Sequence, residues 1–163
     1  MVQSSLKQFA FQEFTANEIC SILSSLLGDG VKISLPQLSY YIKKKFVCPD
    51  GVTFFRGKRK FSFKNLIILY WLFKLKQQGL AVNKFAQCIP QLERLSKSVK
   101  ELLNMVLITD GDRVYLKDSS EVGKVVGKIL NGKNKGQYVW LFGLSSLAEG
   151  LNNYWSNEKK AAP

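Results

Sequence analysis

The sequence predicts a mainly α fold with small β parts, on three observations. Two capping boxes, Thr15 with Glu18 and Ser34 with Gln37, each head a run of apolar residues at helical spacing. Two pairs of β-branched and aromatic runs meet at turn signals, one at Arg56-Gly57 and one at Asp110-Gly111-Asp112. The composition, 46% hydrophobic and 22% charged over 163 residues, is that of an ordinary folded chain that builds its core without disulfides.

After Thr15, the residues Ile19, Ile22, Leu23, Leu26 and Leu27 form a helical stripe that Gly28-Asp29-Gly30 ends. Ser34 opens a second helix with Leu38, Tyr41 and Ile42 on its apolar side, running to about Lys45, and Pro36 sits in the first turn, where its missing N–H does no harm. Pro49-Asp50-Gly51 is a turn, and Val52–Phe55, Arg56-Gly57 and Lys58–Phe61 make a small basic hairpin. Ser62 caps a third helix whose Leu66–Phe73 segment is apolar nearly all round, closing at Gly79, where a left-handed residue is needed. A fourth helical segment starts near Asn83 and carries Phe85, Cys88 and Ile89. Helix, turn, helix, basic hairpin, core helix and short helix is the layout of a winged helix-turn-helix.

Pro90 interrupts the next segment, while Leu92, Leu95, Val99 and Leu102 still align on one face. Val106–Thr109 and Arg113–Leu116 form a second hairpin around Asp-Gly. Gly136-Gln137 precedes a strand over Tyr138–Phe142, and Ser145 or Ser146 caps a last helix through Leu147, Leu151 and Tyr154. The expected division is an N-terminal extension over 1–13, a winged helix-turn-helix over 14–89, a connecting or dimerisation helix over 90–104, a small α+β C-terminal domain over 105–156 and a frayed tail over 157–163.

Counts exclude much chemistry. The chain has no histidine, which removes Ser-His-Asp and Cys-His devices and every imidazole metal site, and no carboxylate motif replaces them. No enzymatic activity is expected. Cys20, Cys48 and Cys88 are too far apart for a C-x-x-C pair and read as buried small hydrophobes, so neither metal nor cofactor is expected. Gly123, Gly127, Gly132 and Gly136 match neither a P-loop nor a dinucleotide fingerprint. The longest apolar run is the eight residues Leu66–Phe73, too short to span a bilayer. Met1 to Ser5 lacks the order of a secretory signal, so a cytoplasmic protein without a membrane partner is expected.

Charge points to the partner. Residues 1–100 hold sixteen basic and five acidic side chains, residues 101–163 eight and seven. Lys32 to Lys64 alone contains nine cations against Asp50, a local excess that a polyphosphate neutralises with release of counterions. Phe54, Phe55 and Phe61 among these cations suit either core packing, the commoner fate, or stacking on single-stranded bases. Of the adjacent tyrosines, Tyr41 is expected inside with Leu38 and Tyr40 outside, towards phosphates.

The string Phe14-Thr15, Leu38-Ser39-Tyr40-Tyr41, Phe46-Val47-Cys48-Pro49, Arg59-Lys60-Phe61-Ser62, Leu66 and Gln78-Gly79-Leu80-Ala81-Val82 resembles the MerR family of bacterial transcription regulators over about residues 14–92. These segments look like its "T-x-x-E" opening, "L-R-Y-Y-E" helix, "G-L-x-x-P" exit, "R-x-Y-S" wing and "G-L-S-L" turn. The chain departs from that pattern at Ser39 (arginine), Ile42 (acid), Lys45 (glycine) and Phe61 (tyrosine), and its turn over Leu26–Val31 is longer. Ser39 and Phe61 remove two polar groups that family members point at DNA, which moves the expected phosphate clamp to neighbouring lysines. Together with the layout of elements, the resemblance implies a transcription regulator of the bacterial nucleoid that binds double-stranded DNA as a homodimer and meets RNA polymerase. Ser34, Gln37, Ser39, Tyr40, Lys43 and Lys44 would enter the major groove, with Arg56, Lys58, Arg59 and Lys60 gripping the flanking backbone phosphates or the minor groove. The alternative is an excisionase-like or DNA-packaging architectural protein that bends DNA and controls no promoter. Because the last third is nearly neutral, a chain ending near Asn104 is expected to keep DNA binding.

Overall fold

Thr15 ends a three-residue strand, β1 (Glu13–Thr15), and caps the adjoining helix, α1 (Ala16–Leu26). Its hydroxyl accepts from the Glu18 N–H at 3.2 Å, and the Glu18 carboxylate accepts from the Thr15 N–H at 2.6 Å. Two backbone donors that a helix start leaves open are thereby satisfied. Ser34 and Gln37 repeat the device at α2 (Leu35–Lys43), with Pro36 in the first turn. The computed structural model describes residues 6–28, 30–47, 52–80, 82–94, 99–132 and 138–161; Asp29, Cys48, the Pro49-Asp50-Gly51 turn, Leu95 and Gly136-Gln137 lie outside them.

The hairpin forms as the sequence predicts. β2 (Val52–Phe55) and β3 (Lys58–Ser62) pair antiparallel, with Val52 opposite Phe61 and Phe54 opposite Arg59. Arg56 and Gly57 both hold positive φ, 51° and 74°, as a two-residue turn matched to strand twist requires. β1 pairs with the other side of β3, Phe14 opposite Phe61, to give a sheet of order β1-β3-β2. That third strand was not anticipated, because three residues are too few to show alternation. Phe14 and Phe61 are both fully buried.

Ser62 accepts from the Asn65 N–H at 3.3 Å and opens α3 (Phe63–Gln77), in which Phe63, every residue from Leu66 to Phe73, and Leu75 are buried. Gly79, at φ 70°, closes it. The Gly79 N–H donates to the Lys76 carbonyl at 3.0 Å and the Leu80 N–H to the Leu75 carbonyl at 2.9 Å, the paired bonds of a Schellman end.

The chain forms two compact units, one of residues up to Tyr70 together with those from Leu144 on, the other Trp71–Gly143. The division expected from sequence, with breaks near 13, 89, 104 and 156, runs differently. The last helix of the chain, α7 (Ser145–Ala161), packs against α1 in the first unit and buries Leu147, Ala148 and Leu151, with Leu144 buried just before it. It continues to Ala161, through the stretch expected to fray. Nor is the segment before Thr15 an appendage. Leu6 and Phe9 are buried, the Phe9 ring lies 6.3 Å from Trp155 and 6.4 Å from Phe63, and the Gln8 amide donates to Asn152 Oδ1 at 3.0 Å. Burial of these side chains, invisible in local patterning, is what recruits both segments.

In the second unit a 3-10 helix (Val82–Cys88) leads into α4 (Ile89–Arg94), and α5 (Val99–Leu103) comes next. The described parts of the expected connecting helix are thus two short helices. β4 (Met105–Thr109) pairs with β5 (Val114–Asp118) and, on its other side, with β6 (Trp140–Phe142), while α6 (Val122–Leu130) lies between β5 and β6 in sequence. Asp110 Oδ1 accepts from the N–H groups of Asp112 and Arg113 and shapes the Asp-Gly loop. Trp71 Nε1 donates to the Phe142 carbonyl at 3.1 Å. The fold is mainly α with small antiparallel sheets, and among the described residues no helix is long and apolar enough to cross a membrane.

Candidate nucleic-acid interface

The cations of the first unit are carried by α2, its exit and the β2–β3 hairpin. On α2 the period of 3.6 turns Leu38 and Tyr41 inward and leaves Tyr40, Lys43 and Lys44 outside. Tyr41 is 4% exposed and Tyr40 51%, the arrangement expected of the tyrosine pair. Burial first, and then the neighbouring Tyr40, push the Tyr41 phenol above its ordinary value, so Tyr41 serves as a neutral core ring. The Lys44 ammonium stands 5.8 Å from the centre of the Tyr40 ring and shares its face of the helix.

α2 stops at Lys43 in a Schellman end, where the Phe46 N–H donates to the Tyr41 carbonyl at 3.1 Å and the Lys45 N–H to Ile42 at 3.0 Å. Lys45 therefore occupies the left-handed position, at φ 57°. Among the described residues the two non-glycine residues with positive φ are Lys45 and Arg56, and both are exposed cations of this surface.

Arg59 joins hairpin to helix: its Nη1 donates to Ser39 Oγ at 3.4 Å, a long bond between two half-buried side chains. Arg56 and Lys58 are exposed, Lys60 is half-buried, and Lys64, part of the same basic run, is buried at the start of α3. An open cleft of about 430 Å³ lies between the start of α1, the front of α2 and β3, with Asn17, Leu35, Ser39, Lys58 and Arg59 on its walls and the Phe61 ring among its lining. Among the described residues from 30 to 80 there is no aspartate or glutamate; the exposed Glu13 lies on β1, which pairs with β3.

Ten residues were expected to contact DNA, and their surroundings differ. Tyr40, Lys43, Lys44, Arg56 and Lys58 are exposed. Ser34 is the cap of α2, and Gln37 Oε1 accepts from both the Ser34 N–H at 2.9 Å and the Ser34 hydroxyl at 3.2 Å. That oxygen is committed to the helix start, so a bidentate base contact by Gln37 requires breaking the cap. Ser39 and Arg59 are engaged with each other. Of the aromatic trio, Phe61 is fully buried while Phe54 is 70% exposed. The half-exposed Leu35 is missing from the sequence-derived set, and Phe54 figures there only for core packing or single-strand stacking, although counting back from the Arg56-Gly57 turn places it beside Arg59.

Cys20 and Cys88 are buried, and burial pushes both thiols up, Cys88 to about 11. Among the described residues no three cysteine or carboxylate side chains converge; Cys48 lies outside them. No protein-family model and no curated protein matches the chain.

Proposed function

We propose that this chain is a sequence-preferring, double-stranded DNA-binding transcription regulator of the MerR-like winged-helix type. In this reading α2 is the recognition helix, offering Tyr40, Lys43 and Lys44 to the major groove, and the β2–β3 hairpin is the wing, whose Arg56, Lys58 and Lys60 meet phosphates. The observation that carries the reading is the set of exposed cations, Lys43, Lys44, Arg56 and Lys58, on the described parts of α2 and the hairpin, two elements joined through Arg59 and Ser39. Such a surface gains by displacing the counterions of a polyphosphate. Lys45 and Arg56 add support, since each keeps a charge at a backbone position where glycine or asparagine is easier, a cost usually tolerated where the side chain has work to do.

The family resemblance adds a homodimer, contact with RNA polymerase and a place in the nucleoid, and these parts rest on the resemblance alone. Titrating a labelled duplex across salt concentrations tests the core of the proposal. With about five phosphate contacts per protomer, the log–log slope is expected to be steeper than about −4. A slope near zero, or no duplex binding at low salt, sinks it.

A further inference from the structure

We propose that Phe54 is a wedge that enters the minor groove, slips between two adjacent base pairs and partly unstacks them, so that DNA is bent where the hairpin touches it. This rests on the duplex-binding reading of the same surface. Phe54 is 70% exposed on the outer strand of the β1-β3-β2 sheet, where no described element covers the phenyl ring. Its direction is fixed by register. Phe54 lies directly opposite Arg59, and cross-strand partners project from the same face of a sheet. Arg59 reaches Ser39 on α2 from that face. Phe54 therefore stands on the side of the hairpin that looks towards the proposed recognition helix.

The surroundings choose the occupant. Arg59 stands opposite the ring on its own face of the hairpin and Arg56 follows two residues on in the turn, and the described residues of the hairpin contain no carboxylate, so the complementary partner is a polyanion with an apolar interior. Duplex DNA is such a partner: phosphates on the outside, stacked bases within. Apolar wedges held by flanking cations unstack base steps in this way, most easily at flexible pyrimidine–purine steps. The tight Arg56-Gly57 turn holds the ring on a short two-stranded support.

The test uses the full chain and a duplex that the protein itself selects from random-sequence DNA, carrying 2-aminopurine at successive steps outside the centre of the site. At saturating protein, fluorescence is expected to rise several-fold at one step on the hairpin side and to stay flat elsewhere. Phe54→Ala, whose exposed site leaves the melting temperature unchanged, is expected to bind with the same salt slope and abolish the rise; Phe54→Leu, still an apolar wedge, is expected to retain at least half of it. Duplex binding with no rise at any step, or a rise that survives Phe54→Ala, overturns the wedge and leaves the DNA-binding reading standing. Tighter binding to the separated strand than to the duplex overturns it in favour of base stacking. Absence of any duplex binding overturns the earlier reading and the wedge with it.

Discussion

Gln37 shows how a side chain that looks like a reader of bases can be occupied by its own helix. Its oxygen accepts two bonds from Ser34, so Gln37→Ala is expected to lower stability by about 1 kcal/mol, the usual value of a lost cap, before it touches base discrimination. Thermal melting and competition between selected and random duplexes separate the two effects; an unchanged melting temperature with lost discrimination returns Gln37 to the bases. Lys58→Ala, at an exposed residue of the proposed wing, is expected to weaken selected and random duplexes by similar factors and to flatten the salt slope by about one unit. Cys88 gives an independent residue-scale check. Its thiol, pushed up to about 11, is protonated near neutrality, so native protein at about pH 8 should take up iodoacetamide there far more slowly than unfolded protein. The linkage has a definite sign: a raised folded value gives stability that is complete below the ordinary value of 9.0 and is lost as pH rises through about 11. Rapid native labelling of Cys88, detected by mass spectrometry, contradicts this.

At the scale of elements, α2 and α3 end in the same hydrogen-bonded motif with different residues at the left-handed position, Lys45 in one and Gly79 in the other. MerR-like sequences carry glycine where this chain has Lys45. A left-handed conformation costs a non-glycine residue roughly 1–2 kcal/mol, while glycine gives back about 0.4–1 kcal/mol through a freer unfolded chain. Lys45→Gly should therefore stabilise by about 0.5–1 kcal/mol and Gly79→Ala destabilise by a similar amount, since a methyl at Gly79 meets open space and only backbone conformation counts. Opposite shifts of melting temperature check the pair, and equal signs refute it. The elements themselves were largely legible: both capping boxes, the Arg56-Gly57 turn, the Ser62 cap and the Gly79 end are local signals, and local signals survive folding. β1 and the continuation of α7 to Ala161 were not, because three residues carry no period and a polar helix end is held by what it packs against.

For the whole molecule the division into units was the illegible part, since Leu147 and Leu151 reveal an apolar stripe without revealing which distant helix it covers. Among candidate site residues, the position of the cations on α2 and the hairpin could be read from local patterning, while the engagement of Ser39 with Arg59 and of Gln37 with Ser34 needed geometry. The expectation that a chain ending near Asn104 keeps its DNA binding changes accordingly. Such a chain lacks α7, and with it buried Leu144, Leu147 and Leu151. At roughly 1.5–3 kcal/mol for each buried leucine, their loss approaches the whole stability of a small protein, about 5–15 kcal/mol. The shortened chain is expected to show no cooperative melt by circular dichroism; a sharp transition near that of the full chain refutes the claim.

The return of α7 to α1 also sets an order in time. A ribosome makes α1 early and its covering helix only after the 118 residues from Leu27 to Leu144, which at about 5–20 residues per second is a wait of roughly 6–24 s. Through that interval the face of α1 that meets α7 is open to solvent, to chaperones or to a neighbouring nascent chain. Until α7 arrives, the first unit lacks the burial that Leu147 and Leu151 supply. Nascent chains halted after Gly143 should be cut within α1 by a protease that spares the finished protein.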